Sequence, residues 1–146
     1  MVASPGSGRK VLLLSDAFSS GSWTSGEFTP VDETAPVNAM AMSVGCYDSR
    51  KAPLEYRFAR VTGRISIQVA QAMTSKNPDL ELEYSLTADG RQLEAKNITF
   101  KGKAELSTDL GGVTVLRIAV RTIQGSSKDC NAGDAIALIT SVVVEQ

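Results

Sequence analysis

The sequence predicts an all-β fold, an antiparallel β-sandwich or jelly roll of eight or nine strands. Three observations carry this. Four runs alternate apolar and polar residues with a period of two, as strands do when one face is buried and the other wet. Asp89-Gly90 stands between two strand-like runs, where a two-residue hairpin turn needs positive φ at both central positions. No segment carries a convincing helix cap. Ala59 to Met73 and Ala135 to Val144 are the only helical candidates, and both are rich in β-branched residues, so strand is preferred.

Taken in order, "MVASPGSG" has no periodicity and reads as a flexible linker, so residues 1–9 are set apart from a single sandwich domain over 10–146. "KVLLL" is expected as a short buried first strand, and "SDAFSSGSWTSG" as its exit. Ser15 and Asp16 stop that apolar run after four residues, short of the roughly 7–15 a signal peptide needs. No run approaches the ~20 apolar residues of a membrane span, so no insertion by this segment is expected. Next, "NAMAMSVGC" places Met40, Met42 and Val44 on one face. "PLEYRFA" does so with Leu54, Tyr56 and Phe58, and "GRISIQVA" with Ile65, Ile67 and Val69. "DLELEYSLTA" aligns Leu80, Leu82, Tyr84 and Leu86. After the hairpin, "NITFKGKAEL" reads as one strand with a glycine bulge. "LGGVTV" is a turn into the next strand, and "DAIALITSVVVE" is an apolar closing strand.

Composition narrows the function. Fifteen basic and sixteen acidic residues give a net charge of -1, which leaves no electrostatic footprint for nucleic acid. Histidine is absent, and with it the commonest general base and zinc ligand. Two cysteines, Cys46 and Cys130, stand too far apart for a CxxC motif and are either two buried thiols or one disulfide. Glu81 and Glu83, with Glu55, could suggest a hydrolytic carboxylate pair. Alternating glutamates on a strand are the solvated face of a sheet, so no catalytic residue is assigned.

The order of features resembles the NPCBM family, the carbohydrate-binding modules found at the N-termini of some bacterial glycosidases. The pieces are "VLLLSD", "SWTSG", "MAMSVGCYDS", "PLEYRFARVTGRISIQVA", "LEYSLTADGRQLEAKNITFKG" and "LGGVTVLRIAVRT", followed by a small-residue loop into "ALITSVVVE". The similarity runs over nearly the whole chain from Lys10. Leu14-Ser15-Asp16, Trp23-Thr24, Asp89-Gly90 and Leu93 stand at positions matching the family's pattern. The chain departs at the family's two histidine positions. Val44-Gly45-Cys46 stands where the family has Gly-x-His, and "GDAIALITS" where it has Asp-His-Ala-Asp-Trp-Ala, with Ile139 near the place of the Trp.

The resemblance implies a galactose-binding-like jelly roll and a non-catalytic module for glycan or cell-wall saccharide. It would be part of a larger exported or membrane-anchored bacterial protein, extracytoplasmic or secreted. The alternative is an extracytoplasmic sensor or protein-interaction domain of a bacterial membrane receptor or kinase, with a protein ligand. Because the two histidine-bearing segments of that fold lie near each other, the resemblance also implies a Cys46–Cys130 disulfide.

Site expectations follow. Trp23 is either a platform for a sugar ring or a plug at the edge of the core, its N–H on a backbone carbonyl. In "CYDSRK", Tyr47 can stack, while Asp48 and Arg50 can bind vicinal hydroxyls or an acidic sugar. With the disulfide formed, "QGSSKDCNAGD" stands beside that loop, and Lys128, Asp129, Asn131 and Asp134 join the rim. No cofactor is expected. A structural calcium ion in this loop or near "VDET" is the one conceivable exception; it would need six to eight oxygens, and no Asp-rich loop of that density is present.

Overall fold

The computed structural model describes residues 8–46, 52–123 and 125–146. These residues form ten strands: β1 (Arg9–Val11), β2 (Thr24–Phe28), β3 (Val37–Val44), β4 (Leu54–Arg57), β5 (Arg64–Gln71), β6 (Leu82–Ala88), β7 (Arg91–Ile98), β8 (Ala104–Asp109), β9 (Val115–Thr122) and β10 (Ala135–Glu145). They form two antiparallel sheets, one ordered β2-β3-β10-β5-β8 with β1 also on β10, the other β4-β9-β6-β7. Among the described residues the only helical elements are 3₁₀ turns at Leu14–Asp16 and Cys130–Ala132.

Three expectations need correction. The strand beyond the expected eight or nine is β2, "TSGEF", which pairs Thr24–Phe28 with Ala41–Val37. An edge strand with neither face fully covered has no reason to alternate, so its sequence hid it. "KVLLL" is not one buried strand. β1 begins at Arg9 and its three residues are exposed, Leu12 enters the core, and Leu14 opens a 3₁₀ turn. "NITFKGKAEL" is two strands in different sheets, with Gly102 in the connecting turn, its N–H donating to the Thr99 carbonyl at 2.9 Å.

The alternating residues build the core. Met40, Met42 and Val44 on β3, Ile65, Ile67 and Val69 on β5, and Leu82, Tyr84 and Leu86 on β6 all lie in one buried cluster between the sheets. The hairpin turn has φ of 50° at Asp89 and 83° at Gly90, the two positive values the dipeptide predicts. Asp89 does more than turn the chain. Its carboxylate accepts from the N–H groups of Thr114 and Val115, fixing the entry to β9.

Tyr84 ties the sheets together. Its hydroxyl crosses the core, donates to the Ala70 carbonyl at 2.7 Å and accepts from the Leu138 N–H at 3.1 Å. Ala70 and Leu138 are register partners on β5 and β10, so the phenol bridges their two backbone groups. Burial pushes its pKa well above the ordinary tyrosine value, so it stays protonated and able to donate.

Candidate functional site at the disulfide end

Cys46 and Cys130 form a disulfide, with their Cα atoms 5.5 Å apart. It joins the end of β3 to the loop preceding β10. Asn77, itself buried, anchors that loop. Its side-chain amide donates to the Asp129 carbonyl at 3.1 Å, and its Oδ1 accepts from the Ser127 hydroxyl at 3.1 Å. The Asp129 side chain caps the 3₁₀ turn by accepting from the Asn131 N–H at 3.1 Å.

Beside these elements lies an open hollow of about 310 Å³ lined by Ser43, Thr74, Lys76, Gly133, Asp134 and Ile136. Asp134 is fixed at both ends. Its carbonyl accepts from the Lys76 N–H at 2.9 Å, and its exposed carboxylate accepts from the Ser43 hydroxyl at 3.0 Å. Gly133 is required here. Its φ is 122°, and a Cβ would stand 2.8 Å from that of Lys76. The rim thus presents hydroxyls, a carboxylate and a lysine, with little side-chain entropy left to lose at Asp134 or Ser43.

Of the residues expected from sequence, Asp134 lines this hollow. Asn131 is exposed on the adjacent turn, as are Lys128 and Asp129. Tyr47, Asp48 and Arg50 lie outside the described residues. Trp23 offers no platform. Its ring is 2% exposed and packs in the core cluster, and an indole with no free face cannot stack on a sugar. Its expected hydrogen bond is also missing, since Nε1 has no partner among the described residues. Ile139 is fully buried in the same core. Sequence reasoning passed over Ser43, Thr74 and Lys76. Ser43 carried a signal, as an outward position at the end of an alternating strand. Thr74 and Lys76 gave none.

Glu55 and Glu83 are held by arginines. Glu55 accepts from the Nε of Arg117 at 2.9 Å and of Arg57 at 2.7 Å. The Arg117 and Arg57 guanidiniums hold its carboxyl below the ordinary glutamate value. Arg57 also lies 3.4 Å from the centroid of the Phe18 ring. Glu83 accepts from Arg121 at 2.6 Å. A carboxyl held ionised as Glu55 is makes a poor proton donor near neutral pH. Among the described residues no three acidic, His or Cys side chains gather as a metal site, and no helix is long and apolar enough to cross a membrane.

No family model and no curated protein matches this sequence. Solved structures do. The chain superposes with a TM-score of 0.58, at 11% identity over 87% of its length, on the M60 catalytic domain with the CBM51-1 and CBM51-2 domains of Clostridium perfringens ZmpB. It matches CBM51 of Clostridium perfringens GH95 in complex with methyl-galactose with a TM-score of 0.55, at 7% identity over 83% of its length. A third match, CBM51-2 in complex with GlcNAc and INT domains of ZmpB, has a TM-score of 0.57 and 10% identity over 87% of the chain. The β-sandwich fold is shared with these CBM51 modules. The chain spans 14% and 28% of the two ZmpB structures and 81% of the GH95 module. At such identities the fold is shared, and the ligand must be argued from the site.

Proposed function

We propose that this chain is a non-catalytic saccharide-binding module of a larger exported or membrane-anchored bacterial protein. The observation that carries the reading is the rim at the disulfide end. There Ser43, Thr74, Lys76 and Asp134 set hydroxyls, an ammonium and a carboxylate around a shallow hollow whose volume is at the lower end of small-ligand sites, about 300–1,000 Å³. Hydroxyl, carboxylate and ammonium groups are the donors and acceptors that sugar hydroxyls need. Two modules of the same fold hold methyl-galactose and GlcNAc. Asn131 on the neighbouring turn joins this site. The sequence candidates Tyr47, Asp48 and Arg50, within four residues after Cys46, carry a ring, a carboxylate and a guanidinium. The disulfide supports an oxidising, extracytoplasmic setting.

A glycan array probed with the wild-type chain and with Asp134→Ala tests this. Retention on specific glycans, lost or weakened about tenfold in the variant, is the expected result for removing a charged hydrogen-bond partner. Retention that is unchanged in the variant, or no retention on any glycan, contradicts it. The second outcome turns the reading to the protein-interaction domain.

A further inference from the structure

A second cavity stands at the other end of β3, where the core-facing pattern of the sheet breaks. Met40, Met42 and Val44 point into the core, and the next residue on that face is Asn38, which is exposed. The β2 residues paired with Met40 and Asn38 are Ser25 and Glu27, both exposed, and paired residues share a face. Three polar side chains therefore occupy core-side positions where the alternation calls for apolar ones. Departures of this kind collect at functional sites.

The backbone explains the opening. β3 and β10 are paired only as far as Met40 and Ile139, and β10 next pairs with β1 at Val143. Between those points the strands diverge around a cleft of about 570 Å³. Leu12, Met40, Ile139 and Val142 contribute apolar lining. Val11 and Leu13 stand at its mouth, 51% and 58% exposed, among the few large apolar side chains left in water. This wall is fixed, since the Leu13 carbonyl accepts from the Tyr56 hydroxyl at 3.0 Å and the Leu13 N–H donates to Asp16 at 2.8 Å.

Ser25, Glu27, Asn38 and Thr140 supply polar lining to the same cleft. Glu27 is its only charged lining residue, and it makes no ion pair or hydrogen bond among the described residues. A carboxylate beside an apolar wall attracts a cation more strongly than it would in bulk water. A neutral ligand seated there would draw no benefit from that charge.

We propose that the cleft is a second ligand site, one that takes a protonated amino sugar. The C–H face of the ring lies on Val11 and Leu13, the ammonium on Glu27, and neighbouring hydroxyls on Asn38 and Ser25. That the ligand is a sugar rests on the function proposed above; that it carries an amine rests on Glu27 alone.

The test is a pair of NMR titrations at mildly acidic pH, with a glucosamine trisaccharide and with its fully N-acetylated counterpart. The expected result is that the amine form shifts the amides of Ser25, Glu27, Asn38 and Thr140 and binds about tenfold more tightly there than the acetylated form. Glu27→Gln should abolish the preference, and Asp134→Ala should leave it intact. Equal affinity for the two sugars, or a preference that survives Glu27→Gln, overturns the proposal. A third titration, with cyclohexylammonium, separates its failure from that of the saccharide reading. This probe keeps the apolar ring and the ammonium without the hydroxyls. Shifts of the cleft amides by it, sensitive to Glu27→Gln, support an amine site even if no saccharide binds anywhere. No shifts from the probe or from the amine sugar overturn the amine site, whatever the rim binds.

Discussion

The two hollows share strand β3 and are built in opposite ways. Ser43 stands in the rim and Asn38 in the cleft, five residues and about 17 Å of strand apart. The rim is made by loops that long-range bonds hold together: the disulfide, the buried Asn77, and the Asp134 carbonyl under Lys76. The cleft is made by strands that stop pairing. A site assembled from loops depends on its cross-links, whereas one opened in a sheet depends on the ladders around it. Perturbing one type of support should therefore leave the other site standing.

The largest effect is expected from the disulfide. It closes a segment with a sequence separation of 84, worth roughly 4 kcal/mol in the chain-entropy view. Replacing both cysteines by serine should lower the unfolding free energy by about that amount in urea titration. Where the variant is still folded, amide shifts should cluster at Ser43, Lys76 and Asp134 and spare Glu27 and Asn38. Changes of equal size at both ends would show that the two sites are not independently supported.

Tyr84→Phe acts from the other side. It leaves the Leu138 N–H and the Ala70 carbonyl without the bridging hydroxyl, at a cost of about 1–3 kcal/mol. Leu138 immediately precedes Ile139 and Thr140 in the cleft wall, so amide exchange should accelerate there before it does at the rim. A variant as stable as wild type would remove the bridge from the account.

How much of this was legible in the sequence depended on which physical signal each residue left. Ile65, Ile67, Leu82, Tyr84 and Leu86 reached the core because burial on one face imposes a period of two. Asp89-Gly90 marked its turn because few residues tolerate positive φ. β2 left no trace, since "TSGEF" owes its conformation to pairing with β3 rather than to side-chain burial. Asp134 could be singled out as a polar residue in a long loop. Lys76 could not, because only the fold brings residues 76 and 134 together. Asn38 opens a run whose strand was expected, but its meaning appears only with the register to Glu27 and the divergence of β3 from β10.

The smallest effect lies on the outer face of the four-stranded sheet, away from both hollows. The arginines hold the Glu55 pKa below its ordinary value of 4.5, so its contribution to stability is present above that pH and lost as pH falls through the lowered folded-state value. Glu55→Gln should flatten the acid limb of the stability–pH curve below about pH 4.5 and leave the neutral plateau's shape unchanged. A curve of unchanged steepness would mean the pairs with Arg117 and Arg57 are idle in solution.

Saccharide binding at the disulfide end of the sandwich is the proposal from which the other site expectations follow. The most direct measurement is an NMR titration of the isotope-labelled chain with a glycan it retains. Saturable shifts are expected at Ser43, Thr74, Lys76, Asn131 and Asp134, lost in Asp134→Ala. Shifts centred instead on Arg57, Arg117 and Arg121 of the outer sheet face, or none at the rim at saturating glycan, would contradict it.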